Sequence, residues 1–172
     1  EPRPGELFAW SREGLAHRVE GSWTRRTGNL RRVVLDPAGG LWIGTEHRLT
    51  LERSGRRTRE VAVDGLRGLA LGPEGRPWIL DARGLALLDG DRLRRVVGFQ
   101  HRRDRLVGPT FTPDGAVWFA LGPAVLRLTR PQRFVGRPEA GRAALERRSL
   151  PGLARDLLAD SRGTVWLGLV SM

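Results

Sequence analysis

The chain has 172 residues, 40% hydrophobic and 28% charged, with a formal net charge of +11. A composition of this kind supports a packed core and excludes a disordered polyelectrolyte. The absence of cysteine excludes a disulfide framework, a thiolate zinc site and a cysteine nucleophile, and no apolar run approaches the roughly 20 residues that cross a bilayer.

Taken in chain order, the elements repeat. A worn copy, "PGELFAWSREGLAHRV", comes first, with Phe8 at its aromatic position. "LRRVVLDPAGGLWIGTEHRLTLER" follows from Leu30: an apolar strand, an Asp/Pro/Gly turn, a second strand centred on Trp42, a short loop and an alternating third strand. "TREVAV" from Thr58 closes that unit as a more polar fourth strand. The pattern returns as "GLALGPEGRPWILDARGLALLDG" with Trp78 and "LRRVVGF", then as "VGPTFTPDGAVWFALGPAVLRLTR" with Trp118, then as "ARDLLADSRGTVWLG" with Trp166. The four tryptophans are 36, 40 and 48 residues apart, and Phe8 precedes Trp42 by 34. The longest interval contains "RPEAGRAALERRSL" from Arg137, read as a loop insertion with a helical turn or two.

Each turn contains a glycine at the same offset, Gly39, Gly75, Gly115 and Gly163, expected both to supply a positive φ and to avoid a β-carbon clash. Asp36, Asp114 and Asp160 recur with the turn and are expected to accept its N–H groups. The tryptophan of each second strand is expected to wedge between neighbouring sheets, since a ring of that size buries ~150–250 Å². Four short antiparallel strands per unit of about 40 residues, repeated without a compositional break, predict an all-β fold: a β-propeller of four-stranded blades. About four to five blades' worth of strands is present, which predicts part of a larger ring completed by further blades or by another chain. The single propeller region divides into a partial blade at 1–29, blades at about 30–66, 67–105 and 106–150, and a partial blade at 151–172.

"SLPGLARDLLADSRGTVWLG" and "VVLDPAGGLWIGTEHRLTLER" resemble the repeat of the two-component regulator propellers, "D-x-x-G-x-L-W-I-G-T" followed by "G-L" and a further strand. That resemblance covers nearly the whole chain. It implies a ligand-sensing or protein-interaction propeller, the extracytoplasmic (periplasmic) sensor portion of a bacterial signal-transduction protein. The ligand it implies is a small molecule or carbohydrate. "GPTFTPDGAVWFALGPAVLRLTR" is similar to a blade of streptogramin lyase, a family whose members use a histidine base and magnesium. Ala120 and Leu121 stand where that pattern carries Thr and Glu, and its histidine pattern is not recognisable here. The chain is therefore read as a binding module, not an enzyme, without a cofactor. A metal-dependent lyase propeller is the alternative reading; an oligomerising propeller fragment that binds polyanions is another.

Ligands of propellers sit where the loop after the second strand meets the connection between blades. In those segments Glu46, His47, Asp81, Arg83, His101 and Arg103 are the candidate ligand contacts, the arginine forks suiting carboxylate or phosphate. Solvated loop polarity is the plainer account of the same residues. His17, His47 and His101 are isolated, and no metal-ligand spacing is present. All 30 basic residues are arginine. Compositional bias of a GC-rich genome accounts for that choice, and the pairs at Arg25-Arg26, Arg56-Arg57, Arg94-Arg95, Arg102-Arg103 and Arg147-Arg148 read as scattered. No basic strip interleaved with aromatics appears, so nucleic acid is not an expected partner.

Overall fold

The computed structural model describes residues 7–19, 22–99 and 105–170. The chain divides into two compact units, Glu1–Leu66 and Arg67–Met172, with the division at a point where the repeat shows no change of composition.

The first unit holds two antiparallel sheets. β1 (Leu7–Ser11), β2 (Gly14–Val19) and β3 (Ser22–Thr27) form one; β4 (Arg32–Asp36), β5 (Gly40–Gly44), β6 (Arg48–Arg53) and β7 (Arg56–Ala62) form the other. Within each sheet every strand pairs with the next in sequence, across turns of two or three residues that bring antiparallel neighbours together. Leu15 of the first sheet, Leu30 of the connection and Ile43 of the second make a small buried cluster, with Val33 and Leu41 against it.

The second unit holds three sheets. The first is β8 (Gly68–Leu71), β9 (Pro77–Asp81), β10 (Gly84–Asp89) and β11 (Arg92–Gly98). The second is β12 (Leu106–Phe111), β13 (Val117–Leu121), β14 (Ala124–Leu128) and β15 (Glu146–Ser149), and the third is β16 (Leu153–Ala159) with β17 (Val165–Val170). β10 shows no polar alternation in its burial: Gly84 to Leu88 are all buried, because one face meets the next sheet and the other is also covered. The main core joins Trp78, Leu80, Leu85, Leu87, Val96 and Val97 to Val117, Phe119, Leu126 and Leu128 of the following sheet. A second cluster joins Val107, Ala120 and Val125 to Ala154 and Leu157.

The insertion folds as a 3₁₀ turn at Pro131–Phe134 and a short helix α1 at Pro138–Ala143. The helical turn or two expected within the segment from Arg137 is α1, but the end of that segment is not loop. "ERRS" is instead β15, extended because it pairs with β14 in register from Ala124↔Ser149 to Arg127↔Glu146.

The four turn glycines all have positive φ: +83° at Gly39, +69° at Gly75, +77° at Gly115 and +85° at Gly163. Their second expected role is corrected: a β-carbon at Gly39, Gly75 or Gly115 would meet nothing within 4 Å. The backbone angle requires glycine there, not crowding.

The tryptophans differ in how far the wedge forms. Trp42 and Trp78 are buried, and Trp78 meets Phe111 of the next sheet edge-on, centroids 5.4 Å apart. Trp118 is half-buried against the Val107, Ala120 and Leu157 cluster. Trp166 departs from the expectation: it is 61% exposed, since no described sheet lies against its face. Phe8 lies on β1 opposite His17, and its side chain is outside the described residues.

Candidate functional site

The loop after each tryptophan strand and the connection leaving each sheet are tied together by backbone hydrogen bonds. In the first unit Leu30 N donates to Arg12 O, Val63 N to His47 O and Leu66 N to Glu46 O, at 2.9–3.0 Å. In the second, Phe99 N donates to Arg83 O at 3.0 Å and Leu150 N to Pro123 O at 2.8 Å. In each of these sheets the two loop classes therefore lie at one end of the strands.

At the β5–β6 loop, Thr45 N donates to Arg48 O at 2.8 Å and closes a tight turn. Glu46 accepts Arg31 Nη2 at 2.9 Å, while His47 is exposed. The Nε of Arg31 is buried and has no hydrogen-bond partner among the described residues. Sequence reasoning missed Arg31: it precedes the first strand, and nothing in its spacing distinguishes it from its neighbour Arg32.

At the β9–β10 loop, Asp81 is 1% exposed. Arg95 Nη1 reaches Oδ1 at 2.7 Å and Nη2 reaches Oδ2 at 3.1 Å. The amides of Arg83 and Gly84 also donate to Oδ1, at 2.9 and 3.1 Å. The carboxylate thus faces inward and is saturated, while Arg83 is exposed at the loop tip. Glu46 and His47 belong to the first unit, Asp81 and Arg83 to the second. His101 and Arg103 lie outside the described residues. Among the described residues no group of three or more His, Asp or Glu is arranged to hold a metal.

The other end of the sheets carries the glycine turns, whose aspartates do accept turn amides. Ala38 N donates to Asp36 Oδ1 at 2.9 Å, Ala116 N to Asp114 Oδ1 at 3.1 Å, and Arg162 N and Thr164 N to Asp160 Oδ1 at 2.9 Å. Trp118 Nε1 donates to Thr112 Oγ1, and Trp166 Nε1 to Asp160 Oδ2, both at 3.2 Å. Hydrogen bonds from Thr112 and Ala116, then the Arg127 guanidinium, hold the Asp114 carboxyl below its ordinary value. Asp160 is lowered by the Thr164 amide first and the Trp166 indole second. Arg127 bridges Asp114 at 2.8 Å and Glu146 at 3.0 Å, lies 5.5 Å over the Trp118 ring, and is raised by Asp114 first. These groups border an open cleft of about 490 Å³ that Arg148 and Arg162 also line.

No family model matches the chain, and no curated protein sequence matches it. Solved structures do. Virginiamycin B lyase from Staphylococcus aureus superposes with a TM-score of 0.75 at 13% identity, over 97% of this chain and 61% of that one. The extracellular domain assigned to a hybrid two component system of B. thetaiotaomicron gives 0.72 at 12% identity, over 98% of this chain and 26% of that one. One assigned to a one component system of the same organism gives 0.73 at 12% identity, over 96% and 25%. The chain spans less than two thirds of each. Both resemblances drawn from the blade sequences reappear among these neighbours, and the repeated four-stranded sheets have the β-propeller fold.

Proposed function

We propose that the chain is a recognition propeller that senses a ligand or docks a protein, as the extracytoplasmic sensor portion of a bacterial signal-transduction protein. The observation that carries this is the buried, unpaired Nε of Arg31 beside Glu46. A buried donor left unpaired costs about 1–3 kcal/mol, and the Arg31 side chain is still 23% exposed, so a hydroxyl or carboxylate oxygen that binds its guanidinium and turns it is our candidate partner. His47 stands exposed on the same loop. Arg83 is the corresponding candidate on the second unit's loop. The likeness to extracellular domains of two-component and one-component systems supports the sensor role. No helix among the described residues is long and apolar enough to cross a membrane.

The lyase reading comes second, favoured by the likeness to virginiamycin B lyase, which is also known with quinupristin bound. The described residues do not fit its metal. Ala120 is buried in the apolar cluster and Leu121 opposes Ala124, so neither offers an oxygen.

Two assays separate the readings. Thermal shift against a panel of neutral and acidic oligosaccharides is expected to show saturable binding that R31Q and H47A abolish. Incubation with quinupristin and magnesium is expected to leave the compound intact by chromatography. Turnover of quinupristin overturns the binding reading; saturable binding unchanged in R31Q and H47A removes the ligand from this loop.

A further inference from the structure

We infer that the outer side of the second unit is a docking surface for an acidic polysaccharide, a site separate from the β5–β6 and β9–β10 loops. β11 and β15 are edge strands, each the last of its sheet in chain order. The inserted segment lies on β11: Gly136 N donates to Arg95 O at 2.8 Å, and a β-carbon on Gly141 would stand 2.0 Å from Val96 O. The chain then runs directly into β15, so β11, the insertion and β15 make one continuous outer surface.

Charge is segregated onto it. β11 and residues 130–149 carry nine arginines and two glutamates, whereas the other described residues of 67–170 carry seven arginines and seven carboxylates. Arg95 is neutralised by Asp81, and Glu146 by Arg127. The other eight arginines are exposed and make no ion pair among the described residues. Genomic bias selects arginine over lysine but does not sort bases from acids between two parts of one unit. Charge on an edge strand protects it from pairing with another sheet. That accounts for Arg147 and Arg148, but not for Arg133, Arg137 and Arg142, which belong to the segment that already covers β11.

The surface holds arginine forks for carboxylate or sulfate, and none of the exposed large hydrophobic residues, Trp23, Leu158, Trp166, Leu169 and Val170, belongs to it. Single-stranded nucleic acid gains affinity from exposed rings on which its bases stack, and a membrane gains affinity from apolar residues buried in it beyond the attraction of its headgroups. A polysaccharide bearing carboxylate or sulfate draws on the arginine forks alone, which is what this surface offers.

Heparin is the probe, titrated against salt, with a single-stranded oligonucleotide and anionic vesicles in parallel. Wild-type chain is expected to bind heparin at about 50 mM salt and to lose affinity linearly in log[salt]. The variant R133Q/R137Q/R142Q/R147Q is expected to bind at least about tenfold more weakly, with a salt slope smaller by about 3. R67Q/R105Q/R155Q/R162Q removes the same charge from exposed arginines elsewhere in the unit and is expected to stay within about threefold of wild type. Circular dichroism confirms that both variants are folded. Equal weakening in the two variants, no heparin binding at low salt, or tighter binding of the oligonucleotide or vesicles each overturns the proposal.

Discussion

Arg95 grips Asp81 with both ends of its guanidinium, at 2.7 and 3.1 Å, and joins the fourth strand of a sheet to the loop after its second. The carboxylate it holds is buried and also anchors the two amides of that loop. Removing the acid leaves a partly buried guanidinium and two N–H groups without partners. D81A is expected to lose about 3–5 kcal/mol of unfolding free energy, read as a lower urea midpoint with unchanged slope. D81N, which keeps an oxygen for the amides, is expected to fall between D81A and wild type.

The tryptophans should be unequal in a matched series. W78A removes a ring buried to 2% exposure against Phe111 and is expected to cost about 3–5 kcal/mol. W166A removes a ring 61% exposed and is expected to change stability by about 0.5 kcal/mol or less. Chemical denaturation of the two variants side by side checks this; equal losses would mean that the repeat position, not burial, sets the energy.

Two glycines of one sheet should respond for different reasons. Gly75 has φ +69° with open space around it, so G75A carries only a backbone penalty, expected at about 1 kcal/mol. At Gly72 a β-carbon would stand 2.5 Å from Trp78 Nε1. G72A therefore displaces a core ring and is expected to cost about 1–3 kcal/mol, with a shift in tryptophan emission that G75A lacks.

Acid stability should depend on the glycine turns. The folded-state pKa values of Asp114 and Asp160 lie below the ordinary aspartate value of 3.8. Such groups stabilise the fold at pH above that value and lose their contribution as pH falls through the folded value. Thermal melts between about pH 5 and pH 2 should therefore show a decline that is shallower in D114N and D160N. T112V removes the first cause of the Asp114 shift, so the Asp114 titration followed by NMR is expected to move up toward its ordinary value.

The architecture was legible because turn and tryptophan are local: the residues that shape each blade's first turn sit within six positions of the ring they position. Asp36, Asp114 and Asp160 read correctly as turn acceptors for the same reason. The candidate loops were legible as positions but not as chemistry. Asp81 and Arg95 are 14 residues apart, and which arginine of β11 turns inward depends on strand register, shifted here by an irregularity between Leu85 and Ala86. Arg31 was invisible because burial of its Nε arises from packing, not from any pattern. The arginine pairs looked scattered along the chain, yet Arg25-Arg26, Arg56-Arg57, Arg94-Arg95 and Arg147-Arg148 all fall on the last strand of a sheet. A run of letters does not display that alignment until the strands are counted.

The indole N–H at Trp118 is satisfied by the side chain six residues before it, and so is that at Trp166. Donor and acceptor travel in one short stretch of chain, whether the acceptor is a threonine hydroxyl or an aspartate carboxylate. A copied segment of that length arrives with the acceptor for its own indole already in place. Duplicating or losing a whole blade therefore leaves the contacts between sheets to be refitted, such as the apolar clusters and the bond from Ala159 N to Thr110 Oγ1 seen among the described residues.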